Sequence, residues 1–135
     1  MTDFPLSDAE INAFIDTAFA EDIATGDVTA ELVIPATASL TASMNAREEM
    51  VLAGLPLITP IFTRLDPDCT VTLNAADGDK LSAGDKIATI SGTARALLSA
   101  ERTALNIIQH LSGIATLTRT YVDQIEGTNA KLLDT

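Results

Sequence analysis

The side chain in this sequence best suited to chemistry is Arg102. It stands in the run Glu101-Arg102-Thr103-Ala104-Leu105-Asn106, whose spacing places it in the first turn of an apolar helix. The macrodipole at a helix N-terminus prefers acids, so Glu101 suits that turn and Arg102 does not. A guanidinium at the wrong pole fits an anion, because its planar fork grips a carboxylate through two parallel hydrogen bonds. The plainer alternative is a surface arginine paired with a nearby acid, a common and weak arrangement. His110 is the only histidine. It lacks the Cys, His or carboxylate neighbours of a metal site, and no nucleophile is spaced to support acid–base work. Packing or an interface hydrogen bond accounts for it better.

Two other groups invite chemistry. Glu21, Asp22 and Asp27 surround Gly26 and could offer oxygen ligands to a divalent cation. Their spacing does not match an EF-hand loop, and acids are ordinary at helix ends and turns. The run Gly78-Asp79-Lys80-Leu81-Ser82-Ala83-Gly84-Asp85-Lys86 is similar to one half of a biotinyl or lipoyl carrier domain, whose modified lysine sits at a hairpin tip. The other half of that repeat is missing, so the likeness is one of backbone shape. No glycine-rich loop of P-loop or dinucleotide type is present.

The composition narrows the possible partners. The 135 residues suit one domain with a core of Ala, Leu, Ile and Val, since aromatics are 4% and there is no Trp. The net charge of −11 argues against nucleic acid and anionic membranes, which need a basic footprint. A lone Cys69 cannot form an intrachain disulfide and fits a reducing compartment. No basic segment precedes an apolar run at the N-terminus, and no apolar stretch reaches the roughly 18 residues of a membrane span. The chain reads as cytoplasmic.

The elements that must position these residues follow from periodicity. Ser7 and Glu10 make a capping box, Leu6 and Ile11 occupy staple positions, and Ile11, Phe14, Ile15, Ala18, Phe19 and Ile23 give a helical face ending at Gly26. Ala38, Leu40, Ala42, Met44 and Ala46 alternate as a half-buried strand, and Cys69, Val71 and Leu73 as a second. Leu55 to Leu65 predicts a short helix with Pro56 in its first turn. Two Gly-Asp turns then bracket tight antiparallel strands. From about Ala94 the chain is helical, with Leu98, Leu105, Ile108 and Leu111 on one side. Ser112-Gly113 interrupts it, and Ser112 caps a second helix that Gly127 ends. Asn129 to Asp134 predicts a short strand.

Several separate strings, in order, resemble the quinolinate phosphoribosyltransferases, the carboxylating nicotinate-nucleotide pyrophosphorylases of NAD synthesis. They are Asp22-Ile23 with Gly26-Asp27-Val28-Thr29, Asp77-Gly78-Asp79, Ser91 to Leu98, Glu101 to Asn106, Leu111 to Thr116, and Lys131 to Thr135. The resemblance implies an α+β fold. Residues 1–112 would form an N-terminal hammerhead or barrel-sandwich-like domain with flanking helices. Residues 113–135 would be the linker helix and first strand of a truncated α/β barrel. It implies transfer of a phosphoribosyl group from phosphoribosyl pyrophosphate to quinolinate, giving nicotinate mononucleotide, pyrophosphate and carbon dioxide.

In the same reading Arg102 contacts a carboxylate of quinolinate in the partner subunit's site. Thr135 matches the threonine of a substrate-binding Thr-Arg-Lys string. Mg²⁺ is expected, with ligands outside this chain, as is a homodimer or higher homo-oligomer. A closed barrel of this type takes about 250 residues, so no turnover is expected from the chain alone. A fragment of the relative found beside molybdate transporters, or a non-catalytic dimerisation module, are the competing readings.

Overall fold

A capping box starts the first helix, as the sequence requires. The structure, a computed structural model, describes residues 4–23 and 32–133. Helix α1 spans Asp8–Asp22. Ser7 Oγ accepts from the Glu10 N–H at 3.4 Å, and Glu10 Oε2 accepts from the Ser7 N–H at 2.8 Å. The Ser7 hydroxyl, and then its backbone N–H, hold the Glu10 carboxyl below the usual range. Only Ile15 of the expected apolar face is buried, and Phe14 is exposed. The helix stop expected at Gly26 lies outside the described residues.

Strands β1 (Ser39–Asn45), β3 (Thr70–Leu73) and β5 (Lys86–Thr93) form an antiparallel sheet in the order β1-β5-β3. A second, two-stranded sheet pairs β2 (Met50–Val51) with β4 (Lys80–Leu81). The strands beside the two Gly-Asp turns are therefore antiparallel, but β4 and β5 pair in different sheets and not with each other. The turns explain why. At 76–79 and again at 82–85, the fourth residue's N–H reaches the first residue's carbonyl at 3.1 Å, and a glycine at φ 91° or 95° holds the third position. That positive φ is free only to glycine. Each turn then docks outward, on Leu52 and on Ala46 respectively, through a reciprocal pair of backbone bonds of 2.8 and 2.9 Å.

A 3-10 turn, Leu55–Leu57, leads into α2, Ile58–Leu65. Asp77 caps this unit from a distant loop, its two carboxylate oxygens accepting from Gly54 N–H at 3.0 Å and Leu55 N–H at 2.8 Å. Gly54 has φ 90°, and a Cβ there would stand 2.6 Å from Leu111 Cδ1.

Helix α3, Ala94–Ile125, is a single run of 32 residues. This corrects the break expected at Ser112-Gly113. Ser112 is buried inside the helix, and its hydroxyl caps no helix but accepts the Ala53 N–H at 3.1 Å. One turn on, Thr116 Oγ1 accepts the Val51 N–H at 2.9 Å and donates to the Ser112 carbonyl at 2.7 Å. The two hydroxyls thus satisfy one backbone donor of β2 and one of the segment just after it, where an unpaired donor would be costly. The buried face also differs from the expected one: Leu97, Ala100, Ala104 and Ile108 are covered, while Leu98 is exposed. Small alanines carry the contact and do not announce themselves as core. Residues 129–133 join neither sheet, so no strand follows α3 among the described residues.

The start of α3 is fixed by Asp66, a buried carboxylate. Its Oδ2 accepts the Thr93 N–H at 2.7 Å and its Oδ1 the Asp68 N–H at 3.2 Å. The Thr93 backbone bond holds its carboxyl below the usual carboxylate range, against the opposing pull of burial. Gly92 is packed beneath it, since a Cβ would fall 2.6 Å from Asp66 Oδ2 and 2.9 Å from Cys69 Cβ.

Two outcomes follow. Ser112→Ala leaves the Ala53 N–H without a partner and should destabilise the fold by about 1–3 kcal/mol, read from urea unfolding midpoints; an unchanged midpoint contradicts that pairing. Asp66 titrates lower in the folded chain than in the unfolded one, so its contribution is present above the ordinary carboxylate pKa and lost as pH falls through the folded value. Asp66→Asn should therefore melt lower than the parent at pH 7, with the gap closing on acidification. A gap in melting temperature that stays constant into acid would show that the carboxylate charge plays no part.

Candidate functional site

Arg102 is the ninth residue of α3, not part of its first turn. The unpaired N–H groups of the helix start lie behind it, so the macrodipole argument does not apply to it. Arg95 occupies the first turn instead, and its Nε donates to the Ile34 carbonyl at 2.7 Å. Ala100, Thr103 and Ala104 point into the core around Arg102, leaving the arginine itself exposed.

Arg102 has no counter-ion among the described residues. Arg64 pairs with Asp16, and Arg119 pairs with Asp123 at 2.6 Å. Among the described residues the Arg102 side chain makes no ion pair or hydrogen bond, a property it shares with Arg47, Lys86 and Lys131. In a chain of net charge −11 acids are plentiful, so the alternative of a routine surface pair finds no support here.

Its immediate surroundings were only half legible. Thr103, next to it, is buried, and its Oγ1 donates to Asp22 Oδ2 at 2.8 Å. Asp22 is thus engaged with a hydroxyl; its neighbour Asp27 lies outside the described residues. Among the described residues no three His, Cys, Asp or Glu side chains gather to hold a metal ion. The threonine carried no sequence signal beyond falling on the helix face that holds Ala100 and Ala104.

The other candidates are dispersed. His110 is exposed on α3. Lys80 lies within β4, 3.8 Å from Asp123, and Lys86 opens β5 opposite Asn45. Neither is at a turn tip, where a carrier would present a modified lysine. Cys69 is half-buried, and burial first, then the Asp66 carboxylate, push its thiol up, so it stays a protonated packing group. Thr135 lies outside the described residues. A groove of about 680 Å³ runs along α3 one turn beyond Arg102, floored by Met44, Ala46, Met50, Leu105 and Ile108. Among the described residues no helix is long and apolar enough to cross a membrane.

Comparison with known proteins gives this geometry a context. The profile described as quinolinate phosphoribosyl transferase, N-terminal domain, matches residues 27–112. A nicotinate-nucleotide pyrophosphorylase [carboxylating] of Mycobacterium leprae is 40% identical over 136 residues, covering 96% of this chain and 48% of its own length. A probable enzyme of the same name from Bacillus subtilis is 40% identical over 126 residues, covering 93% of this chain and 43% of its own. The crystal structure of NadC from Streptococcus pyogenes superposes with a TM-score of 0.91 at 35% identity, over 98% of this chain and 47% of that one. The Francisella tularensis nicotinate-nucleotide pyrophosphorylase gives 0.89 at 38%, over 96% and 46%. The chain spans about half the length of the curated relatives it matches. It is a mixed α+β chain that belongs to the quinolinate phosphoribosyl transferase family and carries that family's N-terminal domain.

Proposed function

We propose that this chain is the N-terminal part of a cytoplasmic enzyme that joins quinolinate to the phosphoribosyl group of phosphoribosyl pyrophosphate. The ring nitrogen displaces pyrophosphate, one ring carboxylate leaves as carbon dioxide, and nicotinate mononucleotide results. The observation that carries this reading is the unpaired guanidinium of Arg102, displayed on a rigid helix. Its role is to bind and orient a quinolinate carboxylate through two charge-assisted hydrogen bonds, holding the ring in one plane for attack. Thr135, which lies outside the described residues, is assigned to the same substrate on its Lys131 to Thr135 string. The described residues do not form a Mg²⁺ site, so the metal's ligands are assigned to residues outside them and none of the steps given to this chain passes through it.

The two docked Gly-Asp turns support a finer description of the fold. Each closes on its own strand end in the same way, as the halves of a barrel-sandwich or hammerhead would. On this reading residues 1–112 are that domain, and residues 113–135 lead into an α/β barrel.

Self-association belongs to the same proposal. Residues 103–118 contain no Asp, Glu, Lys or Arg, in a chain that is 20% charged. Gln109, Ile114 and Leu117 are exposed on that stretch. Loss of charge with retention of apolar and amide groups is the mark of an interface centre. The exposed face is assigned to a homodimer or higher homo-oligomer, in which Arg102 reaches the partner's substrate.

Joined to the C-terminal half of the Mycobacterium leprae relative, the chain should produce nicotinate mononucleotide from quinolinate and phosphoribosyl pyrophosphate. Arg102→Ala in that protein should cut kcat/KM for quinolinate by about 10–100-fold, the worth of the lost charge-assisted bonds, with its melting temperature unchanged. Equal kcat/KM in parent and variant would sink the carboxylate role. Sedimentation should show a dimer or larger species, converted to monomer by Leu117→Glu. A parent that remains monomeric at the highest concentrations would remove the interface from the proposal.

A further inference from the structure

We propose that Asp22 and Thr103 act as a positioning pair, fixing the turn of α3 that carries Arg102 against the end of α1. This rests on the reading of Arg102 as the substrate-binding arginine. Threonine hydroxyls on the helices of this protein ordinarily return their proton to the carbonyl one turn back. Thr17 does so to Ala13 at 2.9 Å, Thr63 to Thr59 at 2.9 Å, Thr116 to Ser112 at 2.7 Å and Thr120 to Thr116 at 3.1 Å. Thr103 departs from that habit. Its hydroxyl donates across to the Asp22 carboxylate of another helix at 2.8 Å, although it is buried with 1% of its surface exposed.

Asp22 departs from local electrostatics as well. It is the last residue of α1, at the negative end of the macrodipole, and no basic residue stands in that turn. An acid in that place weakens its own helix, and the bond it gains is to the residue adjoining Arg102. The remaining contacts of that turn cannot do the same work. Ala100 and Ala104 are fully buried, but methyl contacts are non-directional and leave rotation of the helix about its axis weakly set. A charge-assisted bond between two helices fixes both rotation and position along the axis. It therefore determines where the base of the Arg102 side chain stands.

The test is amide hydrogen exchange on the 135-residue chain, comparing Glu101–Asn106 with β5. Thr103→Val keeps the shape and removes the donor, and Asp22→Ala removes the acceptor. Each should speed exchange in Glu101–Asn106 by roughly tenfold more than in β5, the worth of one such bond. The double variant should add nothing beyond either single change, and Thr103→Ser should behave as the parent. Acceleration spread evenly over α3 and β5, or additive effects in the double variant, would overturn the pair. In the active joined protein Thr103→Val should raise KM for quinolinate severalfold with kcat little changed, and Thr103→Ser should restore it. If Arg102→Ala moves that KM and Thr103→Val does not, the positioning role fails alone. If Arg102→Ala does not move it, the substrate reading fails while the exchange result still decides the pair.

Discussion

Everything in this fold depends on how closely α3 can approach the rest of the core. Ala100 and Ala104 have no measurable exposure, and they bring the helix backbone near its neighbours without a large side chain between. That proximity lets α3 touch α2, β2, β5, α1 and β1 at once. It also brings two hydroxyls, of Ser112 and Thr116, within reach of N–H groups of β2 and the segment just after it that would otherwise stay unpaired. Leu52, Ile58 and Ile61 fill the space behind, each worth about 1.5–3 kcal/mol of apolar burial. Gly54 belongs to the same constraint, because the Leu111 side chain occupies the space a Cβ there would need. A bulkier residue at any of these positions pushes the helix outward and loosens strand edge and loop together.

The same helix is held at several separate points, and each hold is polar. Asp66 fixes its start, Thr103 and Asp22 its third turn, and Ser112 and Thr116 its middle. Apolar packing gives the helix affinity for the sheet, whereas these directional bonds give it a register. Register matters to any side chain that α3 displays, since a shift of one residue rotates it by about 100°. Glu10 and Asp77 repeat the principle elsewhere, each carboxylate closing a helix start through backbone N–H groups.

Much of this was legible where physics is local. The capping box at Ser7 and Glu10, the alternation of Leu40, Ala42 and Met44, and the two Gly-Asp turns all formed where their residue types required. What stayed hidden was long-range. Nothing in the turn residues says that the strands beside them enter different sheets, because their docking partners, Leu52 and Ala46, lie some thirty residues away in sequence. Ser112-Gly113 reads as a helix break because serine caps and glycine stops helices, yet here the hydroxyl is used by the Ala53 N–H, two residues after β2. On α3 the expected Ile108 is buried and Leu105 and Leu111 pack against the core, but Leu98 is exposed and Leu97 and the alanines take its place, since alanine signals helix and not core. Arg102 was singled out for a dipole mismatch that does not exist. Its residue string, shared with a family, supported the choice when the local argument did not.

The charge distribution explains why so few residues remain as candidates for anion binding. At −11 the chain repels anions at long range, so any anion it holds must be captured by local cations. Arg64 and Arg119 are committed to acids, and the Lys80 ammonium stands within ion-pair distance of Asp123. Arg47, Lys86, Arg102 and Lys131 are left without an ion pair among the described residues, and of these Arg102 alone stands on a helix. Beside Arg102, the Thr103 hydroxyl engages the Asp22 carboxylate of α1 and ties that turn of α3 to the neighbouring helix. On the proposed reading, an acidic surface that leaves Arg102 unneutralised on α3 favours a ligand that brings its own negative charge to that point.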